Sequence, residues 1–190
     1  MNLHIKLIGM FYKAATGSKK VRTLLTPVGA IFFFALIALF LFAALQVDRL
    51  LDFPKLITAS SSIIVSVPLL ATGIFLVLWS ILHFIKVRGT PVPFNPPPIL
   101  VNTGPYAHVR NPMLTGLFVV LFGLGFLFRS VAFVSIFTPL FILFNVLELK
   151  AIEEPELEKR LGKPYVEYKK KVPMFAPRLK LRTKQVNKNN

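Results

Sequence analysis

The chain has 190 residues, of which 54% are hydrophobic and only 16% are charged. A soluble domain carries about 25% charged residues, and here the apolar residues come in long blocks, which is typical of a membrane protein. Cysteine is absent, so disulfides, thiolate metal sites and a cysteine nucleophile are excluded. The three histidines stand far apart in the sequence, and we expect no metal site.

Three runs with few or no charges predict the membrane-spanning part of the chain. Residues 24–47 and 56–85 contain no charged side chain, and residues 113–147 contain only Arg129. A helix needs about 20 apolar residues to cross a bilayer, so each of the first two runs crosses it once. The third run suffices for two short spans, and a turn at Arg129 keeps that charge out of the bilayer centre. The sequence therefore predicts an all-α, multi-pass membrane protein with about four transmembrane helices, ending in a helical hairpin and short interfacial helices.

The distribution of basic residues predicts the orientation. Of the 23 Lys and Arg, only Arg49, Lys55 and Arg129 lie in the two connections on one side of the predicted membrane. By the positive-inside rule the other side, with both chain termini, is cytosolic. This asymmetry accounts for the net charge of +15 without a nucleic-acid partner.

The chain divides into four segments. Residues 1–23 form an N-terminal cytosolic segment with a short helix on the membrane surface, and residues 24–87 hold the first two spans. Residues 88–178 form the functional core. It begins with a stiff, proline-rich stretch that serves either as a cover over a site or as a rigid spacer. Residues 179–190 are a polar, basic tail that we expect to be disordered.

Two patterns within the core predict packing. Glycines at 116, 123 and 125 would let a neighbouring backbone or a ligand approach the third span closely. After the fourth span an apolar stripe at helical spacing predicts two short amphipathic helices, divided at Gly162 and Pro164. We expect the stripe residues Tyr165 and Tyr168 to pack on the membrane-facing side of these helices, with a place near a ligand as the alternative.

Two polar clusters, residues 101–113 and 148–154, flank the predicted hairpin. If the hairpin folds back on itself, both clusters lie at the same membrane face, and Arg110 becomes the obvious partner of the acids in the second cluster. One interpretation is an Arg–Glu pair that only holds the hairpin closed. The other is a pocket for a ligand.

Three features favour the pocket. Asn111 and Pro112 begin a helix and would leave free N–H donors, Tyr106 and His108 place polar rings beside them, and the stiff proline-rich stretch adjoins. Such a pocket suits a ligand that is both charged and aromatic, for example a nucleotide-like cofactor. The sequence has no phosphate-binding loop motif, which excludes a soluble nucleotide-binding domain.

The two clusters carry a resemblance to a known family. Residues 100–113 read Leu-Val-x-x-Gly-Pro-Tyr-x-x-Val-Arg-Asn-Pro-Met, and Glu-Glu-Pro-x-Leu follows the hairpin at 153–157. With the tail at 161–175, this arrangement resembles the isoprenylcysteine carboxyl methyltransferases and their bacterial and archaeal relatives, which are allied to the phospholipid N-methyltransferases. The resemblance covers residues 88–178. Asn111 stands where many members have histidine, and Leu114 stands where tyrosine is usual.

The resemblance implies an integral-membrane methyltransferase that uses S-adenosylmethionine and releases S-adenosylhomocysteine. It implies a lipophilic acceptor that enters from the bilayer, such as the carboxylate of a prenylated cysteine. Arg110 and Glu154 are the implied catalytic residues, with Arg110 orienting a carboxylate. The implied cofactor-binding residues are Val101, Gly104, Tyr106, His108, Asn111, Pro112, Glu153 and Glu154.

Two alternatives stay open. The acceptor could be the amine of a phospholipid, which needs a general base, with Glu154 or His108 as candidates. The chain could also be a non-catalytic membrane scaffold with a decayed pocket, and Leu114 is the best support for that reading.

Overall fold

The computed structural model describes Gly9, Tyr12, Lys13, residues 19–87, Pro97 and residues 99–177. Within these residues the regular structure is entirely helical, which confirms the all-α prediction. Most of the predicted N-terminal surface helix, most of the proline-rich stretch and all of the basic tail lie outside the described residues.

Five main helices are described: α1 (Lys19–Leu50), α2 (Ala59–Lys86), α3 (Pro112–Leu127), α4 (Phe133–Leu161) and α5 (Lys163–Lys171). A 3-10 turn, Gly104–Ala107, precedes α3. In α1, α2 and α4 there is enough apolar length to cross a membrane, and α3 is a shorter apolar helix. This agrees with about four spans.

The fourth helix is longer than the sequence predicts. We expected it to end near residue 147, with the acids at its end, but it continues to Leu161. It contains two π turns, Phe133–Phe137 and Leu149–Glu153, and in the second the Glu154 N–H donates to the Leu149 carbonyl five residues back. The apolar run ends where the charges begin, but Glu, Leu, Lys and Ala favour a helix, and no glycine interrupts it before Gly162.

The third helix makes its closest contact with the second. The Gly73 carbonyl lies 2.7 Å from the position that a Cβ would take on Gly116, and the Gly116 carbonyl lies 2.6 Å from the equivalent position on Gly73. A small residue on each side lets two membrane helices approach backbone to backbone. The predicted close approach at Gly116 is therefore present, with α2 as its partner and Gly73 as the residue that the prediction missed.

The turn between α3 and α4 lies at Arg129, as predicted. Arg129 adopts a positive φ of 54°, and its carbonyl accepts a hydrogen bond from the Leu56 N–H at 3.1 Å. The Ser130 hydroxyl accepts from the Phe133 N–H at 3.0 Å. From α1, the Asp48 carboxylate accepts from the Ala132 N–H at 2.8 Å. Two buried N–H donors at the start of a helix, which have no partner within the helix, are thus satisfied.

Asp48→Ala is expected to lower the free energy of unfolding by about 1 kcal/mol, because Asp48 acts as a helix cap supplied by another helix. Unfolding by a denaturing detergent in mixed micelles measures the change. The neighbouring exposed Arg49→Ala is the control and should unfold like the unchanged protein. Equal stability of the two variants would show that the cap contributes nothing.

Phenylalanine rings join three of the helices into one core. Phe141 of α4 meets Phe33 and Phe40 of α1 at centroid separations of 6.0 Å, and Phe118 of α3 at 6.5 Å, all edge to face. Phe133 is 1% exposed in the same cluster. Edge-to-face pairs add to the packing free energy, so this core fixes α4 relative to α3.

Candidate active site at the buried end of the fourth helix

The two polar clusters meet, as the predicted fold-back requires. An Arg110 guanidinium nitrogen (Nη2) lies 2.7 Å from Glu154 Oε1, and the two side chains are only 11% and 6% exposed. A second guanidinium nitrogen (Nη1) donates to the Lys169 carbonyl at 2.8 Å. Lys169 Nζ lies 2.7 Å from Glu154 Oε2. Both carboxylate oxygens of Glu154 therefore face a cation.

Lys169 was not among the predicted site residues. It belongs to a run of three lysines that the sequence suggests only as favourable charge at a helix end. In the structure it also reaches Glu158 at 2.9 Å. The hydrogen bonds that Lys169 donates to the Glu154 and Glu158 carboxylates raise the pKa of Lys169 above its usual range, so it keeps its positive charge at neutral pH. The arrangement stabilises Glu154 as an anion.

The segment after α5 covers the start of α3. The Arg110 N–H donates to the Pro173 carbonyl at 2.8 Å, and the Asn111 N–H donates to the Met174 carbonyl at 3.1 Å. Phe175 packs on Phe118 with ring centroids 5.5 Å apart. The prediction of free N–H donors is therefore wrong for these two amides, because the chain's own C-terminal segment takes them.

Asn111 and Pro112 lie at the predicted helix start. Pro112 is the first residue of α3 and is fully buried, and the Asn111 side chain makes no capping hydrogen bond. The Asn111 carbonyl instead accepts from the Thr115 N–H and hydroxyl, both at 2.9 Å. Leu114 packs against the hydrophobic core.

Tyr106 is fixed from three sides. Its ring stacks on Phe84 with centroids 5.0 Å apart and planes 15° apart, and its carbonyl accepts from the Tyr168 hydroxyl at 2.6 Å. The residue is 5% exposed. Its own hydroxyl is buried near Ser80, without the geometry of a full hydrogen bond. Burial raises the pKa of the Tyr106 phenol above its usual value, so the phenol remains a donor.

The two tyrosines of the amphipathic stripe lie close to the Arg110–Glu154 ion pair. Tyr165 and Tyr168 are 4% and 8% exposed, with ring centroids 6.2 Å apart. Burial raises the pKa of both phenols, and the charges of Glu154 and Arg110 act on Tyr165. These rings therefore combine a packing role with a place beside the charged cluster, by which we mean Arg110, Glu153, Glu154 and Lys169.

Gly104 requires glycine for two reasons. Its φ is +58°, and a Cβ there would overlap the imidazole of His83. His83 Nδ1 lies 2.9 Å from the Trp79 carbonyl, so that nitrogen carries the proton. His83 thus packs against the 3-10 turn. Val101, three residues before Gly104, is also buried, with 8% of its surface exposed.

An apolar pocket of about 160 Å³ lies between α2, the start of α3 and the C-terminal segment. Typical ligand pockets have about 300–1,000 Å³, so this one suits a single part of a ligand. Its lining residues are Leu76, Trp79, Pro105, His108, Val109, Pro112, Thr115, Phe175 and Pro177. The predicted cofactor-binding residues therefore divide: His108 and Pro112 line this pocket, whereas Glu153 and Glu154 lie in the charged cluster.

The paired glutamates have different surroundings. Glu154 is ion-paired twice, but Glu153 has no cation within 4 Å among the described residues. Its charged neighbours are mainly the carboxylates of Glu148, Glu156 and Glu154. Of the two residues, Glu153 is the one with a carboxylate available to a ligand.

One contact concerns the proline-rich stretch. Arg160 lies 2.7 Å from Glu156 and donates to the Pro97 carbonyl at 2.9 Å. Pro97, near the end of this stretch, is thereby tied to the C-terminal part of α4.

Comparison with known proteins adds the family. The family model described as phospholipid methyltransferase matches residues 61–164, which include nearly all of α2, the 3-10 turn, α3 and α4. Neither the comparison with curated proteins nor the comparison with solved structures found a match. The match covers more than half of the chain and contains both polar clusters, so this integral membrane protein belongs to the phospholipid methyltransferase family.

Proposed function

We propose that the protein transfers the methyl group of S-adenosylmethionine to a lipid acceptor at the cytosolic end of α4. The observation that carries this proposal is the 2.7 Å contact between Arg110 and Glu154, which joins the two polar clusters at one end of the molecule. The same end of the molecule carries most of the Lys and Arg residues. By the positive-inside rule we therefore assign this end, with both chain termini, to the cytosol.

The residues at this end fit the cofactor. A sulfonium and an amino-acid ammonium both carry positive charge, and Glu153 offers a carboxylate that no described cation neutralises. The buried Tyr106 hydroxyl lacks a full hydrogen bond and could bind a polar group of the ligand. When bound, the cofactor supplies an electrophilic methyl group. The protein then has to align the acceptor and exclude water.

An amine acceptor is better supported than a carboxylate. Two guanidinium nitrogens of Arg110 are already occupied, by Glu154 and by the Lys169 carbonyl, so the residue assigned to hold a carboxylate has little left to offer. A lipid ammonium would lose a proton to a carboxylate of the chain. Its nitrogen lone pair then forms the new N–C bond while the S–C bond breaks, and that bonding pair stays on sulfur as a thioether.

The carboxylate of a prenylated cysteine is the second candidate. One observation favours it: the Arg110 Nε is buried and has no hydrogen-bond partner in the described part of the chain. A single donor could orient one carboxylate oxygen by a charge-assisted hydrogen bond. A carboxylate acceptor would need no general base.

Cofactor binding tests the proposal directly. S-adenosylhomocysteine should raise the melting temperature of the purified protein in detergent, and Glu153→Gln should weaken its binding about tenfold, the loss of one charge-assisted contact. The matched control is Glu158→Gln, the same chemical change on the same helix at a side chain that is 41% exposed. The control should bind like the unchanged protein.

The acceptor is then identified by transfer of a labelled methyl group. Nanodiscs containing either a lipid with a primary amine or a prenylated cysteine derivative distinguish the two candidates. A folded protein that shows neither stabilisation by S-adenosylhomocysteine nor labelled product would be a non-catalytic scaffold, and the proposal would fail.

A further inference from the structure

We infer that Glu148, one turn nearer the membrane than Glu153, binds the positively charged head group of the lipid acceptor and so selects acceptors that carry an amine. This inference rests on the proposed function and adds a residue and a specificity to it. Glu148 belongs to the second polar cluster, but neither the family resemblance nor the ion pairs of the described residues assign it a role.

The π turn aligns Glu148 with Glu153. Residues five apart on an α-helix point about 140° away from each other, since each residue turns by about 100°. Between these two acids lies the π turn Leu149–Glu153, whose wider winding brings positions five apart towards one side. The Glu148 carboxylate is accordingly the charge that acts most strongly on Glu153. A π turn in this position is typical of a functional site.

Neither acid of this pair has a cationic partner among the described residues. In the described part of the protein, Glu154 contacts Arg110 and Lys169, and Glu156 contacts Arg160, but no cation lies within 4 Å of Glu148 or Glu153. Both are partly buried. An unpaired anion removed from water is costly, and a bound cation would offset that cost.

A second observation, made on a residue of the 3-10 turn, indicates a ligand. The Tyr106 hydroxyl belongs to a residue that is 5% exposed and makes no full hydrogen bond, while the charge of Glu153 acts on it from α4. Buried hydroxyls are nearly always hydrogen-bonded in native proteins. The Tyr106 hydroxyl, on which the charge of Glu153 acts, is therefore suited to bind a polar group from outside the chain.

The depth of Glu148 fits a lipid head group. It is the first acid after the long apolar run of α3 and α4, where the hydrocarbon ends and head groups begin. Directly before it, the exposed apolar residues Leu140, Leu143, Phe144 and Leu147 form a face along α4. A lipid chain lying on this face would carry its head group to Glu148.

Asn145 supplies a second acceptor at the same place. It lies one turn before Glu148, so the two side chains share a side of the helix. Its amide nitrogen donates to the Phe141 carbonyl at 2.8 Å, which leaves the amide oxygen able to accept. An ammonium group has several donors and can use both this oxygen and the Glu148 carboxylate.

The test separates acceptor binding from cofactor binding. In phosphatidylcholine nanodiscs containing octadecylamine, Glu148→Gln should raise the apparent KM for the amine about tenfold, as expected for losing a charge-assisted contact. Stabilisation by S-adenosylhomocysteine should stay as in the unchanged protein. Glu148→Asp, which keeps the charge, should recover part of the loss, and Glu158→Gln is the control for the chemical change.

Binding gives a readout that does not need turnover. Octadecylamine should raise the melting temperature of the unchanged protein but not that of Glu148→Gln, and octadecanol should stabilise both equally. Equal stabilisation by octadecylamine of the two proteins would overturn the inference. So would a loss of S-adenosylhomocysteine binding in Glu148→Gln, because Glu148 would then belong to the cofactor site. Failure of the unchanged protein to bind S-adenosylhomocysteine, by contrast, would reject the proposed function.

Discussion

Glu154→Gln is expected to lower the free energy of unfolding by about 3–5 kcal/mol, because it leaves a buried guanidinium without its anion. The Arg110 and Glu154 side chains are 11% and 6% exposed and 2.7 Å apart, so water cannot replace the lost partner. Lys169 loses the same carboxylate. Unfolding by a denaturing detergent in mixed micelles measures the change.

Glu158→Gln is the matched control, since it removes a carboxylate from the same lysine at 2.9 Å but at a side chain that is 41% exposed. It should cost less than about 1 kcal/mol, as exposed ion pairs do. The double variant Arg110→Met with Glu154→Gln should be more stable than the two single changes predict by addition. If Glu154→Gln unfolds like the control, Glu154 is not a structural anion.

This prediction bears on how the catalytic residues can be assigned. Arg110 and Glu154 were the predicted catalytic pair, and a test by loss of cofactor binding would be natural. The ion pair of these two residues holds the start of α3 against α4. A variant of either residue could therefore lose cofactor binding only because the protein unfolds. Glu153, which has no ion pair in the described part of the chain, gives the cleaner variant, and the catalytic roles of the pair stay predictions.

Much of the architecture could be predicted because it depends on long uniform patterns. Uncharged runs of membrane-spanning length predict helices, and Arg129 between two short runs predicts a turn, since a charge is costly at the bilayer centre. The meeting of the two polar clusters follows from that turn. Gly162, with its φ of +66°, divides α4 from α5 where its residue type suggested.

What the sequence could not predict depends on single contacts between distant residues. Hydropathy does not reveal that α3 packs closest on α2, because every apolar span looks alike in lipid. Lys169 looks like any helix-end lysine until its distance to Glu154 is known. The π turn at Leu149–Glu153 decides which acids share a side of α4, and its one local signal is Pro155, two residues after it, which disturbs the helical hydrogen bonds before it.

The close approach of α2 and α3 leads to a second large effect on stability. Gly73→Val should destabilise the protein by about 3 kcal/mol, at the upper end of the cost of overpacking. Even a Cβ at this position would meet the Gly116 carbonyl at 2.6 Å and the Val120 nitrogen at 2.8 Å. These are backbone atoms, so the two helices must separate.

The control is Ala71→Val, two residues away on the exposed side of α2, which should unfold like the unchanged protein. Separation at Gly73 should also disturb the stack of Phe84 from α2 on Tyr106, whose centroids lie 5.0 Å apart. Tyr106 lies in the turn that leads into α3, so stabilisation by S-adenosylhomocysteine should fall in Gly73→Val even where the protein remains folded. A variant that keeps full stability and full cofactor binding would show that α2 and α3 can separate freely, and that the glycine crossing does not position the site.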